Sequence, residues 1–264
     1  MKAISIMYHD VVAHGRWDES GFPGADAALY KLEREEFARH LHAIARAIQH
    51  PPITVFELAA TIARRAMPLL ITFDDGGVSA YTHIAAMLEE YGWRGHFFVT
   101  ANHIGTPTFL SRAQIRELRA RGHVIGSHSS SHPLRFANCS WDEMLHEWQT
   151  SVETLSEIIG EAVTTASVPG GYYSRKVAEA ASQAGIERLF NSEPTATCIE
   201  VAGCLILGRY TVQRWTTATA AAALAGGRLA PRLRQLALWQ AKKVTKAIGG
   251  EQYLKVRRSL VGNG

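Results

Sequence analysis

Two short constellations in this chain have residue types that can do chemistry. His128-Ser129-Ser130-Ser131-His132 sets two imidazoles with three residues between them, a spacing that on a helical turn offers both rings to one metal ion. Twelve histidines in 264 residues give roughly half such a pair by chance, so the spacing alone carries little weight. Its placement carries more. The motif follows the apolar run His123-Val124-Ile125-Gly126-Ser127, at a C-terminal strand edge of the kind where α/β barrels build their sites. Asp74-Asp75 is placed the same way, between Leu69–Phe73 and Gly76-Gly77. Adjacent carboxylates repel unless a cation or several hydrogen bonds compensate, although turn residues ahead of two glycines need no further role. Together the motifs supply two imidazoles and one carboxylate to a metal. One carboxylate is left over to take a proton from water. Three protein ligands with open positions is the catalytic zinc pattern rather than the closed structural one.

The elements that must position these groups alternate along the chain. Residues 3–8 read as a short buried strand, and 14–26 as a long Gly/Asp/Pro-rich loop. Over 33–48, Phe37, Leu41, Ile44, Ala45 and Ile48 recur at helical spacing. Strands are predicted at Leu69–Phe73, 96–100, 123–127, 164–168 and 188–191, and helices at 79–91, 111–121, Trp141–Ile159 and 174–184. Ser111 reads as an N-cap, and Gly122, Gly160 and Gly185 as stops. Strand–helix alternation repeated this often argues for parallel strands with helical crossovers, in a barrel or an open doubly wound sheet.

Composition narrows the class. With 47% hydrophobic and 20% charged residues the chain can bury a full core, which excludes a disordered protein or a disulfide-stapled mini-domain. A net charge of +4 is mild for a nucleic-acid binder, and none is expected as a partner. Cys139, Cys198 and Cys204 form no CxxC pair, and no secretory signal or membrane-length apolar run is seen. The protein is therefore expected to be cytoplasmic. Residues 228–258 hold nine cations (Arg228, Arg232, Arg234, Lys242, Lys243, Lys246, Lys255, Arg257, Arg258) and one acid, Glu251, so the rest of the chain is mildly acidic. Leu236, Trp239, Val244 and Ile248 can form an apolar face between these cations. Such a helix suits an anionic membrane surface, and equally a solvated face packed on the core. Two units are expected: a catalytic body over 1–217 and a basic helical extension over 218–264.

Thr72-Phe73-Asp74-Asp75-Gly76 and His128-Ser129-Ser130-Ser131-His132 resemble the first two motifs of the polysaccharide deacetylases, the NodB-homology family or carbohydrate esterase family 4. Gly95-His96-Phe97-Phe98-Val99 and the stretch from Leu110-Ser111 to Gly122-His123-Val124-Ile125-Gly126 are similar to that family's linking segments. The resemblance covers roughly residues 3–215, in order. It implies a distorted (β/α) barrel that hydrolyses N-acetyl groups from amino sugars with a divalent metal, zinc first. Asp74 would then be the general base, and Asp75, His128 and His132 the metal ligands.

The later motifs depart from the family pattern. Where Arg-x-Pro-Tyr is usual, this chain has Ser167-Val168-Pro169-Gly170, followed by Gly171-Tyr172. The arginine that orients the base is missing there, whereas a backbone N–H of Gly170 or Gly171 can still serve an oxyanion. The usual Leu-x-His is also absent, with Leu207-Gly208-Arg209-Tyr210 in its place. Met7-Tyr8-His9-Asp10-Val11 resembles the N-terminal motif of a permuted branch, the poly-N-acetylglucosamine deacetylases, whose histidine is the general acid. His9 is accordingly the expected acid, and Arg209 a candidate for the lost arginine or for a substrate contact. Trp17, Phe22 and Tyr30 can stack on sugar faces or simply pack.

The leading expectation is a metal-dependent N-deacetylase of an amino-sugar glycan or lipid-linked oligosaccharide precursor in surface-polysaccharide synthesis. It would be cytoplasmic, with the basic tail in peripheral contact with the inner membrane face. The alternatives are a metal amidohydrolase acting on a small cyclic or ureide amide, and a catalytically silent glycan-binding protein.

Overall fold

The apolar runs lie side by side. In a computed structural model that describes residues 1–62 and 67–241, the strands are β1 (Ile4–Tyr8), β2 (Val11–Val12), β3 (Leu32–Glu33), β4 (Leu69–Phe73), β5 (His96–Val99), β6 (Val124–Ser127), β7 (Thr165–Ser167), β8 (Arg188–Phe190), β9 (Ile199–Val201), β10 (Cys204–Leu207) and β11 (Tyr210–Thr211). β2 and β3 pair separately. The other nine form one sheet, ordered β11-β1-β4-β5-β6-β7-β8-β10-β9, which curls into a half-barrel. All its pairings are parallel except the β10–β9 hairpin. Between its two edges, Ala3 N–H donates to the Ala196 carbonyl (2.9 Å) and Cys198 N–H to that of Met1 (3.0 Å).

The helices are α1 (Ala25–Ala28), α2 (Arg34–Ala47), α3 (Leu58–Ile62), α4 (Ala85–Glu89), α5 (Arg112–Ala120), α6 (Trp141–Ile159), α7 (Arg175–Gln183) and α8 (Ala218–Ala225), with a further helical stretch at 229–241. Their boundaries follow local chemistry. Ser111 and Gln114 close a capping box on α5, and Ser140 with Glu143 does the same for α6, which Gly160 ends at φ 75°. α2 buries Phe37, Leu41 and Ile44 against Ile4, Ile6 and Tyr8 of β1, each worth about 1.5–3 kcal/mol when fully covered. The other face of the strands fills the half-barrel with Leu70, Phe98, Phe190 and Leu207. This alternation matters for the site: Leu70, Thr72 and Asp74 share a parity, so Asp74 continues the inward row.

The structure refines the expected elements in three places. The helix expected at 79–91 starts as a π-helical turn, Ala80–Ile84, before α4. The β9–β10 hairpin has no strong apolar alternation in β9, whose residues are exposed or half-buried. Within the extension expected from 218, Ala221, Leu224 and Ala225 of α8 belong to the main core. In the 229–241 helix, Leu236 and Trp239 are half-buried while Leu229, Leu233 and Leu238 are exposed. Val244, Ile248 and the cations from Lys242 onward lie outside the described residues. No helix among the described residues is long and apolar enough to cross a membrane.

Candidate active site

β4 and β6 deliver the two motifs to one rim, and unusual backbone conformations aim them. Asp75 has φ 76°, and Ser129 and His132 have φ 66° and 58°. Left-handed non-glycine residues of this kind cost about 1–3 kcal/mol each and cluster at functional sites. The expectation that His128 and His132 share a helical turn is therefore corrected: they converge through a loop folded at Ser129 and His132. Gly76 and Gly77 behind Asp75 admit no side chain. A Cβ on Gly76 would lie 3.0 Å from the Val99 backbone, and one on Gly77 would overlap the Asp10 carboxylate.

The result is a tight donor set. Asp75 Oδ1 lies 3.4 Å from His128 Nε2 and 3.7 Å from His132 Nε2, and one ligand atom from each residue falls within 4.8 Å of the others. His128 Nδ1–H donates to the Ser167 carbonyl (3.0 Å), which turns Nε2 toward Asp75. The loop between the histidines is held from α6. Glu147 accepts the amides of Ser130 (2.9 Å) and Ser131 (2.8 Å) and the Ser131 hydroxyl. Burial lowers the pKa of His128, but the Asp74 and Asp75 carboxylates outweigh it and hold the ring above its ordinary value. Burial, with His128 beside it, brings His132 down to about 4. Burial also works to raise Asp75, and the His128 hydrogen bond and neighbouring histidine charges overcome it, leaving the carboxyl well below the usual range.

Asp74 is held differently. Arg209, with no exposed surface, donates from Nη1 to Oδ1 (2.6 Å) and from Nη2 to Oδ2 (2.8 Å). Its Nη2 also donates to Ser167 Oγ (2.7 Å), and Nε to the Asn191 carbonyl (3.0 Å). Ser167 Oγ in turn donates to Asp74 Oδ2 (3.2 Å). Burial works to raise the pKa of Asp74, and the Arg209 charge reverses it to a net lowering. Ser167 occupies the position where the resemblance calls for arginine. A guanidinium from the far end of the chain reaches the same carboxylate and hydrogen-bonds to that serine. Of the two roles open to Arg209, its burial and its pairing with Asp74 favour the contact of the lost arginine.

His9 ends the strand beside β4 and packs on the Tyr30 ring at 4.9 Å. Its Nδ1 is buried without a protein partner, and its charge acts on both Asp74 and Asp75. Gly170 (φ 59°) is exposed, and no described residue accepts from its amide. Gly171 N–H turns back to the Val168 carbonyl at 3.3 Å, so Gly170 is the better placed of the two to serve an oxyanion. Phe22 packs on His132 (4.9 Å), His103 (4.9 Å) and Phe109 (5.1 Å), walling one side. His96 and His123, without motif context in the sequence, are buried and hydrogen-bonded structural residues.

Sequence reasoning missed Glu147, Lys31 and Asp10. Lys31, 1% exposed, donates to the carbonyls of Trp17 (2.6 Å), Ser20 (2.7 Å) and Phe22 (2.6 Å), and so shapes the long loop over the site. Asp10 accepts from Ser20 (2.6 Å) and Ser79 (2.7 Å) beneath it. A lone polar residue in a helix or loop carries no signal of this kind. Only the side chain left over beside His9 hinted at Asp10.

Residues 62–189 match the family model for polysaccharide deacetylase. YxkH of Bacillus subtilis, described as a candidate polysaccharide deacetylase, is 28% identical over 128 residues, 48% of this chain and 46% of that protein. The match thus spans about half the length of the curated relative. Two solved structures share the fold: IcaB from Ammonifex degensii (TM-score 0.70, 22% identity, 86% of this chain and 97% of that one) and the Streptococcus pyogenes deacetylase PplD (TM-score 0.68, 17% identity, 83% and 95%). Residues 62–189, just under half of the chain, thus match a polysaccharide deacetylase domain of the NodB-homology, carbohydrate esterase 4 class. The matched stretch contains Asp74, Asp75, His128, His132 and Ser167; His9 and Arg209 come from outside it.

Proposed function

We propose that this protein is a divalent-metal-dependent N-deacetylase of an amino-sugar glycan or lipid-linked oligosaccharide precursor in surface-polysaccharide synthesis. The observation that carries this is the convergence of Asp75, His128 and His132 within 4.8 Å of one another, beside a carboxylate locked by a buried guanidinium. Two imidazoles and one carboxylate oxygen fit zinc or a neighbouring first-row divalent ion and leave positions open. Such an ion, bound by those three residues, supplies Lewis acidity toward a carbonyl oxygen and acidifies water.

The chain's own groups then divide the work. Asp74 accepts the proton of the attacking water, in an orientation set by Arg209 and Ser167. The Gly170 amide donates to the oxygen that becomes negative as the tetrahedral centre forms. His9 protonates the departing nitrogen, and acetate is released. Phe22, Tyr30 and the loop fixed by Lys31 limit water around these groups.

The ground for a silent glycan-binding protein was the arginine missing at Ser167, and Arg209 supplies that contact. The basic segment, together with exposed Leu229, Leu233 and Leu238, supports peripheral binding to an anionic inner membrane face, where a lipid-linked substrate would be presented. Acetate release from N-acetylglucosamine oligomers, with and without chelation, tests the activity. Metal-loaded protein that binds these oligomers yet releases no acetate, or that acts only on cyclic amides, refutes it. Loss of anionic-liposome binding on deletion of 228–264 tests the membrane contact.

A further inference from the structure

The rim beside His9 contains a second built feature that deacetylation as described does not use. β11 pairs with β1, so the turn after β11 lies beside the loop after β1, which carries Tyr30 against His9. That turn, Gln213 to Thr216, is fixed from four directions. Thr216 N–H donates to the Gln213 carbonyl (2.7 Å), Gln213 N–H to Thr216 Oγ1 (2.9 Å), and Arg214 N–H to the Leu29 carbonyl (2.9 Å). The buried His40 donates from Nε2 to the Thr216 carbonyl (2.8 Å). At its tip Trp215 stands 61% exposed.

Arg214 lies over the Trp17 ring, its guanidinium carbon 4.5 Å from the centroid. Among the described residues its guanidinium has no hydrogen bond or ion pair. Glu33, a carboxylate its charge acts on, is already engaged by His14 (2.9 Å) and the Gly15 amide (3.2 Å). Trp17 is held from beneath, since its carbonyl is one of the three bound by buried Lys31. Both halves of this feature are thus rigid in backbone, while an exposed indole and a set of unspent N–H donors face outward.

We propose that Trp17, Arg214 and Trp215 form a subsite for a pyranose bearing a phosphate ester, next to the sugar that is deacetylated. An indole face matches the apolar C–H face of a pyranose. A guanidinium stacked on an aromatic ring keeps its in-plane N–H fork free, and that fork matches phosphate oxygens bidentately. Neither group alone selects a ligand; the pair selects one that joins a sugar ring to a phosphate. Rigid presentation lowers the ordering cost of binding. The placement next to the acetylated sugar rests on the deacetylase reading, whereas the binding itself does not.

Calorimetric binding to the full chain, treated with chelator so that no turnover occurs, separates the two. The probes are N-acetylglucosamine 1-phosphate, N-acetylglucosamine and inorganic phosphate. The sugar phosphate should bind at least about tenfold more tightly than either of the others. Arg214→Gln should remove that advantage and leave the neutral sugar unchanged, Trp215→Ala should weaken both sugars, and the exposed-rim control Arg16→Gln should change neither. Equal affinity for the sugar and its phosphate, unchanged affinity in Arg214→Gln, or inorganic phosphate binding as tightly as the sugar phosphate would each overturn the subsite. Arg214-dependent binding in a protein that releases acetate from no N-acetylated sugar would leave the subsite standing and remove the deacetylase reading instead.

Discussion

The proposed metal-ligating side of this site and its proposed acid–base side are built by opposite means. Asp75, His128 and His132 sit on two short loops of the matched family stretch, and local features hold them: left-handed φ angles, two adjacent glycines, and the Glu147 carboxylate reaching from the next helix. Asp74 is held by Arg209, 135 residues away, and His9 directly follows the first strand of the chain. Local construction leaves contiguous motifs that a sequence displays. Construction across the sheet leaves single residues whose partners only topology reveals: β11 pairs with β1, and β1 with β4, so Arg209, just before β11, reaches Asp74, just after β4.

The contrast breaks most sharply at Arg209. Arg209→Met leaves a buried, unpaired carboxylate and should cost about 3–5 kcal/mol, read as a lowered urea midpoint at neutral pH. The sign follows from Asp74. Its folded pKa is depressed, so the pair's contribution is present above the unfolded carboxylate value near ~3.9 and fades as pH falls through the lower folded one. The difference between wild type and variant should therefore shrink in acid. Moving the guanidinium to the family position, in Ser167→Arg with Arg209→Ser, should recover part of the stability and activity; no recovery would mean that the hydrogen bonds Arg209 donates to the Asn191 carbonyl and to Thr72 Oγ1 (3.3 Å) matter as much as Asp74.

Next in size, His9→Ala should slow acetate release about 10²–10⁴-fold while leaving cation affinity nearly intact. Equal loss of both would place His9 on the metal side instead. Glu147→Ala should do the reverse, weakening cation binding about 10–100-fold with little change in turnover at saturating metal. The smallest effect is protonic. Asp74 and Asp75 raise the pKa of His128, so below that pKa binding a cation should expel a proton, and apparent affinity should fall by up to about tenfold per pH unit there. Titration calorimetry in buffers of different ionisation enthalpy reads this directly.

Much of the architecture is legible in the residues. Leu69–Phe73 and Trp141–Ile159 have the boundaries expected from apolar runs and caps. The β9–β10 hairpin escapes because an exposed edge strand has no buried face to pattern. The core packing of α8 escapes for a related reason: an alanine-rich helix has little amphipathic contrast, so its packing against α2 and β1 is invisible locally. In the site, strand parity points Asp74 inward and the motifs bring Asp75, His128 and His132 together. The positive φ angles at Ser129 and His132, Lys31 beneath the loop and Glu147 behind it follow from tertiary packing that no short window contains.

The most direct test joins metal content to chemistry in the same samples: cation analysis and acetate release for wild type and His128→Ala. The account predicts about one divalent ion per wild-type chain, with acetate released from an N-acetylated amino sugar, and both lost in the variant while the fold persists. Acetate release that continues in a cation-free His128→Ala protein would contradict it.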